Sequence, residues 1–253
     1  LMKTIVITGS TDGIGKLAAI KLAKDGHSVI VHGRNKEKLT HTVSEVKSAS
    51  NNDNVTGIIA DLSDTNSIRT MVAQLTDTCP SIDVLINNAG VYHSSTQQSS
   101  QVLDMRFAVN YVAPVLLTNG VFPLLEKGDS PRVINLSSAA QQSVSIQALL
   151  GQESISPQSA YAQSKLALTM WSFYFAQEHP NITTIAVNPG SLLNTKMVQE
   201  AFGQHWSPAD KGATILYDLA LLEKYAQSSG RYFDKDQGAF NQAHAAAYEK
   251  GKI

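Results

Sequence analysis

Six short runs of apolar, largely β-branched residues recur along this chain, at 4–8, 28–32, 55–59, 84–86, 132–136 and 183–187. They are nearly continuous in hydrophobicity, which is what a strand needs when both faces of its sheet are covered. Between and after them lie helical patterns at 14–24, 36–48, 64–78, 101–125, 157–177 and 208–225 that can supply the covers. This alternation predicts an α/β fold, a doubly wound parallel sheet with helices on both faces and right-handed crossovers. Asp64 and Ser207, the latter just before Pro208, read as helix caps. There is no linker, repeat or low-complexity tract, so a single domain over 1–253 is expected. The polar stretch 141–157 reads as a long surface loop, and 239–248 as a short amphipathic helix docked on the domain or on a neighbouring subunit.

Composition narrows the function classes. A hydrophobic content of 43% over 253 residues is ample for a core. A net charge of −1 offers no footprint for nucleic acid or an acidic membrane. The lone Cys79 cannot form an internal disulfide, and no apolar run approaches the length of a membrane span, so a cytoplasmic protein is expected. The histidines show no paired ligand spacing, which argues against a metal site.

The first strand runs straight into Gly9-Ser10-Thr11-Asp12-Gly13-Ile14-Gly15, and a helix follows. Glycines there let the backbone turn sharply and approach a pyrophosphate, whose charge meets the N–H groups and the dipole at the helix start. The order strand, glycines, helix points to dinucleotide binding. At the end of the second strand stands Arg34-Asn35, with no carboxylate before Glu37. A cation there suits a ribose 2′-phosphate, so NADP is favoured, with NAD possible; alternatively Arg34 is an exposed turn residue. Asp61, closing the third strand, is placed to reach an adenine amino group or to cap a short turn.

Tyr161 and Lys165, four residues apart, share one face of a helix. A phenol with an ammonium beside it can have its pKa drawn down toward neutrality and can exchange a proton with the oxygen of an alcohol or ketone. Taken alone, the pair is equally an exposed helix contact.

Thr8-Gly-Ser-Thr-Asp-Gly-Ile-Gly15, Asp61-Leu62, Asn87-Asn-Ala-Gly90, Asn110, Asn135-Leu-Ser-Ser138, Tyr161-Ala-Gln-Ser-Lys165 and Asn188-Pro-Gly190 together resemble, in order, the motif set of the short-chain dehydrogenase/reductase family. Arg34-Asn35 and Ser229-Gly-Arg-Tyr-Phe233 are similar to its NADP-using, retinol dehydrogenase-like branch. The resemblance implies a Rossmann-type sheet of about seven strands and a dimer or tetramer. It implies that Tyr161 is the general acid or base, that Lys165 lowers its pKa and holds the nicotinamide ribose, and that Ser138, with Ser137 as competitor, binds the carbonyl oxygen. Asn110 would hold a water in a proton relay or be a helix-bending residue bonded to backbone. Gly9, Ser10, Ile14 and Gly15 would line the pyrophosphate, with Asn88, Ala89 and Gly90 beside the adenosine ribose and Pro189, Gly190 and Thr195 beside the nicotinamide. Tyr92, His93, Leu192, Leu193 and Trp206 lie where the family's apolar substrate cleft and its lid, around 191–210, would be.

Two features depart from the family pattern. The interval from Ser138 to Tyr161 is long, and one extra residue separates Gly190 from Thr195, which displaces that threonine. The expected activity is hydride transfer between NADP(H) and a small-to-medium apolar ketone, aldehyde or alcohol. The alternative is a catalytically idle Rossmann protein that senses nicotinamide redox state.

Overall fold

A computed structural model describes residues 1–191, 193, 195–202 and 208–249. The chain opens with β1 (Thr4–Ile7), α1 (Gly13–Lys24), β2 (Ser28–Gly33), α2 (Lys36–Ser50), β3 (Val55–Ile59), α3 (Thr65–Thr78) and β4 (Val84–Asn87). There follow α4 (Met105–Phe107), a π turn (Ala108–Val112), α5 (Ala113–Gly120), α6 (Phe122–Leu125), β5 (Arg132–Leu136), α7 (Ile146–Leu149), α8 (Pro157–Glu178) and β6 (Thr183–Asn188). The remainder is α9 (Lys196–Phe202), α10 (Ala209–Leu221), β7 (Arg231–Asp234) and β8 (Ala239–Asn241), with 3-10 turns at Glu223–Tyr225 and Ala245–Tyr248.

These strands form one eight-stranded sheet in the order β3-β2-β1-β4-β5-β6-β7-β8. All neighbours are parallel except β7 and β8. Strand order reverses between β1 and β4, the place where open α/β sheets hold their ligands.

The continuous apolar runs are explained by packing on two faces. Ile5 and Ile7 of β1 join the cluster under α1, α2 and α10, which includes Leu22, Val46 and Leu216. Val6, between them, joins the opposite cluster under α3, α5 and α8, with Met71, Leu117 and Phe175. Val29 and Val31 against Ile30, and Val84 and Ile86 against Leu85, repeat the division. Burial of each such side chain contributes about 1.5–3 kcal/mol, so a one-residue shift of register would forfeit both faces at once.

Three expectations are corrected. The stretch 239–248 begins as an antiparallel edge strand, because Phe240 packs edge-on against Phe233 across the ladder, at 5.2 Å between rings, and under the Arg231 guanidinium. Only Ala245–Tyr248 is helical, and it docks on α8 through Ala246 and the Phe173–Tyr248 stack. The helix expected over 101–125 starts at Met105, since Val102 sits at φ 63° and Gln98 bridges Asp104 before it. The loop 141–157 contains the short helix α7, capped by Ser145. Asp64 caps α3 as expected, while Ser207 lies outside the described residues.

Candidate active site

The C-terminal ends of β1–β6 open onto a cavity of about 710 Å3 that runs from Arg34 and Asp61 at one end to Tyr161 and Lys165 at the other. At the first end, Gly9 stands at φ 60° and a Cβ on it would meet Ala89 Cα at 2.7 Å, so only glycine lets the turn pass this close to β4. A Cβ on Gly15 would lie 2.4 Å from Asn88 Nδ2 and 2.7 Å from the Gly9 carbonyl, so Gly15 serves packing and does not line the cavity. Thr11, Asp12, Gly13 and Ile14 do line it. Asp12 caps α1 by accepting from Gly13 N and pairs with Lys38 at 3.2 Å. Burial disfavours its charge, but the Gly13 N–H and the Lys38 ammonium outweigh that and hold the carboxyl below its ordinary pKa. Ser10 differs from expectation: fully buried, its hydroxyl donates to Ile7 O and accepts from His32 N, so it ties β1 to β2 and faces no ligand space. Asn35 also turns away, capping α2 by accepting from Lys38 N, while Arg34 lines the cavity wall at this end. The Asp61 carboxylate accepts from Ser63 N and Oγ, which makes it a turn cap, while Asp61 and Leu62 still line the cavity.

Asn88 locks the glycine turn to β4 by donating to the carbonyls of Thr8 and Gly9, and Thr8 Oγ1 accepts from the N–H of both Asn88 and Ala89. Pro189, Gly190 and Thr195 line the far side, the last with its methyl 3.7 Å from where a Gly13 Cβ would stand. Despite the extra residue, Thr195 therefore faces the glycine turn.

At the other end Ser138 and Tyr161 share the cavity wall, and the Ser138 hydroxyl draws the pKa of the phenol down. Ser137 points the opposite way, buried and within 2.6 Å of Thr169 Oγ1, which separates the two candidates. Lys165 is buried, donates to the Leu136 carbonyl at 2.9 Å and lies 5.7 Å from the Tyr161 ring. The electrostatics differ from the simple picture of an ammonium drawing the phenol down. Burial dominates at both groups: it raises Tyr161 above its ordinary pKa, against the pull of the Ser138 hydroxyl, and it depresses Lys165 to about 8. Tyr161 thus keeps its proton at neutral pH.

Asn110, fully buried in the π turn, donates to Val91 O and Ser164 Oγ and accepts from Val91 N. Its side chain is committed to Val91 and Ser164, and the residue does not line the cavity. The Tyr92 ring packs 5.0 Å from that of Tyr161, and His93 lies edge-on to Tyr92. Both line the cavity, as does Leu193, while Leu192 and Trp206 lie outside the described residues. Sequence reasoning missed His32, whose ring bridges the glycine turn and β3, and Asp236, which accepts from Ser191 N at 2.9 Å and from Asn188 Nδ2 at 3.0 Å and thereby braces the turn after Gly190. Neither stands in a motif, and only the tertiary fold brings them to the site. Among the described residues no group of His, Cys, Asp or Glu could hold a metal, and no helix is long and apolar enough to cross a membrane.

A glycine turn at the switch point of a parallel sheet, sharing one cavity with Ser138, Tyr161 and buried Lys165, is the arrangement of a Rossmann-type α/β protein. The family model described as short chain dehydrogenase matches residues 3–206, and the chain belongs to that family, an oxidoreductase family. Human polyprenol dehydrogenase is 34% identical over 210 residues, covering 79% of this chain and 63% of that protein. Mouse retinol dehydrogenase 12 is 31% identical over 243 residues, covering 91% of this chain and 77% of that one. The branch is retinol dehydrogenase-like. A short chain dehydrogenase of Shigella flexneri complexed with NADP superposes with a TM-score of 0.77 at 26% identity, over 92% of this chain and 97% of that one.

Proposed function

We propose that this protein is an NADP(H)-dependent oxidoreductase that interconverts an apolar alcohol with its ketone or aldehyde. The observation that carries the reading is the shared cavity: the glycine turn and Arg34 at one end, Ser138, Tyr161 and buried Lys165 at the other. The residues fit a dinucleotide, since Gly9 at φ 60° packs the turn tightly against Ala89 and leaves Gly13 and Ile14 at the start of α1 on the cavity wall. When bound, the nicotinamide would supply or accept the hydride.

The chain's own groups would do the rest. Ser138 would donate to the substrate oxygen and steady its growing negative charge. Tyr161, kept protonated by burial, would deliver its proton to that oxygen in reduction and recover it in oxidation. Lys165, fixed by the Leu136 carbonyl, would hold the cofactor ribose and set the field at the phenol. Val109, Leu193 and Met197 supply apolar wall, in keeping with relatives named as polyprenol and retinol dehydrogenases. Arg34 on the wall and the NADP and NADPH bound by two structural neighbours support NADP over NAD.

Titration with NADPH and NADH, followed by a panel of apolar carbonyls monitored by loss of reduced-nicotinamide absorbance, tests the proposal. Tighter NADPH binding and turnover of some carbonyls are expected. Tighter NADH binding would overturn the role of Arg34, and binding of neither would overturn the whole reading.

A further inference from the structure

His32 is 2% exposed, yet it is among the residues that line the cavity. Both ring nitrogens are committed. Nδ1 lies 2.9 Å from Gly9 N, which can only donate, so Nδ1 carries the lone pair. Nε2 must then carry the proton, and it donates it to Ala60 O at 2.9 Å. The backbone on either side is equally tied: His32 N donates to Ser10 Oγ, and His32 O accepts from Ser10 N. One neutral imidazole therefore joins the phosphate-facing turn after β1 to the end of β3, where Asp61 and Leu62 continue the wall.

We propose that His32 is a positioning residue for the adenosine half of the dinucleotide, holding the glycine turn and the end of β3 at a fixed separation through its neutral Nε2–H form. The inference rests on the dinucleotide reading above. The ring touches no reacting atom; it acts by fixing where Gly9 and Ala60 stand. A protonated ring would set an N–H at Nδ1 against the Gly9 N–H and break the first of the two bonds. Arg34, just after its strand, opposes that protonation and Asp61, just past the end of β3, favours it, while Asp12 of the turn, paired with Lys38 of α2, lines the same cavity. Burial is the largest influence and keeps the ring below its ordinary pKa, hence neutral.

The test compares wild type with His32→Leu, which removes both bonds, and His32→Asn, whose Oδ1 stands near the Nδ1 position and can still accept from Gly9. Each is titrated with NADPH and with reduced nicotinamide mononucleotide, which lacks the adenosine half, and its melting midpoint is measured alongside. His32→Leu should weaken NADPH binding roughly tenfold, the cost of one orphaned, partly buried N–H, and His32→Asn only about threefold or less. Mononucleotide affinity should be the same in all three. On acidification, wild-type affinity for NADPH should fall relative to that of His32→Asn, which has no ring to protonate.

Unchanged NADPH affinity in His32→Leu would overturn the inference, as would equal weakening toward both ligands alongside a lower melting midpoint. Matching acid profiles for wild type and His32→Asn would also overturn it. Wild-type protein that binds neither NADPH nor NADH would remove the cofactor reading and this inference with it, whereas normal wild-type binding with an indifferent His32→Leu removes the inference alone.

Discussion

Replacing Lys165 with methionine should stabilise the fold while abolishing the proposed activity. The side chain is buried, and burial alone takes its pKa from 10.5 to about 8. At about 1.4 kcal/mol per factor of ten, holding this ammonium charged at neutral pH costs the folded state about 3 kcal/mol. Methionine has similar length and no charge to desolvate, but it abandons the bond from the charged ammonium to the Leu136 carbonyl, which returns about 1.5–3 kcal/mol. The net gain is therefore about 1 kcal/mol at neutral pH, or a melting midpoint higher by roughly 2–4 °C for a domain of this size.

The sign of the pH dependence follows from the depressed pKa. Below about 8 the wild-type group is charged in both states and the penalty is present in full. Between there and 10.5 the unfolded chain binds the extra proton, so wild-type stability climbs with pH. The advantage of Lys165→Met should accordingly shrink as pH rises toward about 10. Melting curves of the ligand-free proteins at neutral and alkaline pH measure it. A variant less stable than wild type at neutral pH, or a gap that does not narrow with pH, would refute the claim that desolvation governs this lysine.

Other substitutions separate the roles of neighbouring groups. Ser138→Ala should lower turnover by about 10²–10³-fold with NADPH affinity unchanged. Ser137→Ala, which loses the contacts with Thr169 and Gln141, should cost about 1 kcal/mol of stability and leave turnover within a few fold; steady-state kinetics beside melting curves distinguish the two. Gly9→Ala places a Cβ 2.7 Å from Ala89 Cα at φ 60° and should weaken NADPH binding at least about tenfold. Gly26→Ala, at φ 81° with open space around it, should cost about 1–2 kcal/mol of stability and leave that affinity unchanged in the same titration.

The layered fold was legible because hydrophobicity alone carries it: strands buried on both faces must be continuous in apolar residues, and β1, β2 and β4 are. The edge of the sheet was not. Ala239-Phe-Asn pairs as β8 because Phe240 finds Phe233 and Arg231 across the ladder, partners that helical periodicity in a short tail cannot reveal. Within the site, backbone-driven features were readable, above all the glycine turn. Side-chain direction was not: Ser10 and Asn35 sit in the expected segments but spend their polar atoms on β2 and on α2. The protonation balance of Tyr161 and Lys165 depends on how deeply both are buried, which spacing along a helix does not encode. His32 and Asp236 act across strands, through partners distant in sequence.

The central claim is that the Tyr161 phenol moves the proton while the rest of the cavity binds the cofactor. Tyr161→Phe removes one oxygen and keeps the ring that packs on Tyr92. With a carbonyl that the wild type reduces, the account predicts that NADPH-linked turnover falls by about 10²–10⁴-fold while NADPH affinity and melting midpoint stay within error of wild type. Turnover that survives in Tyr161→Phe would contradict it.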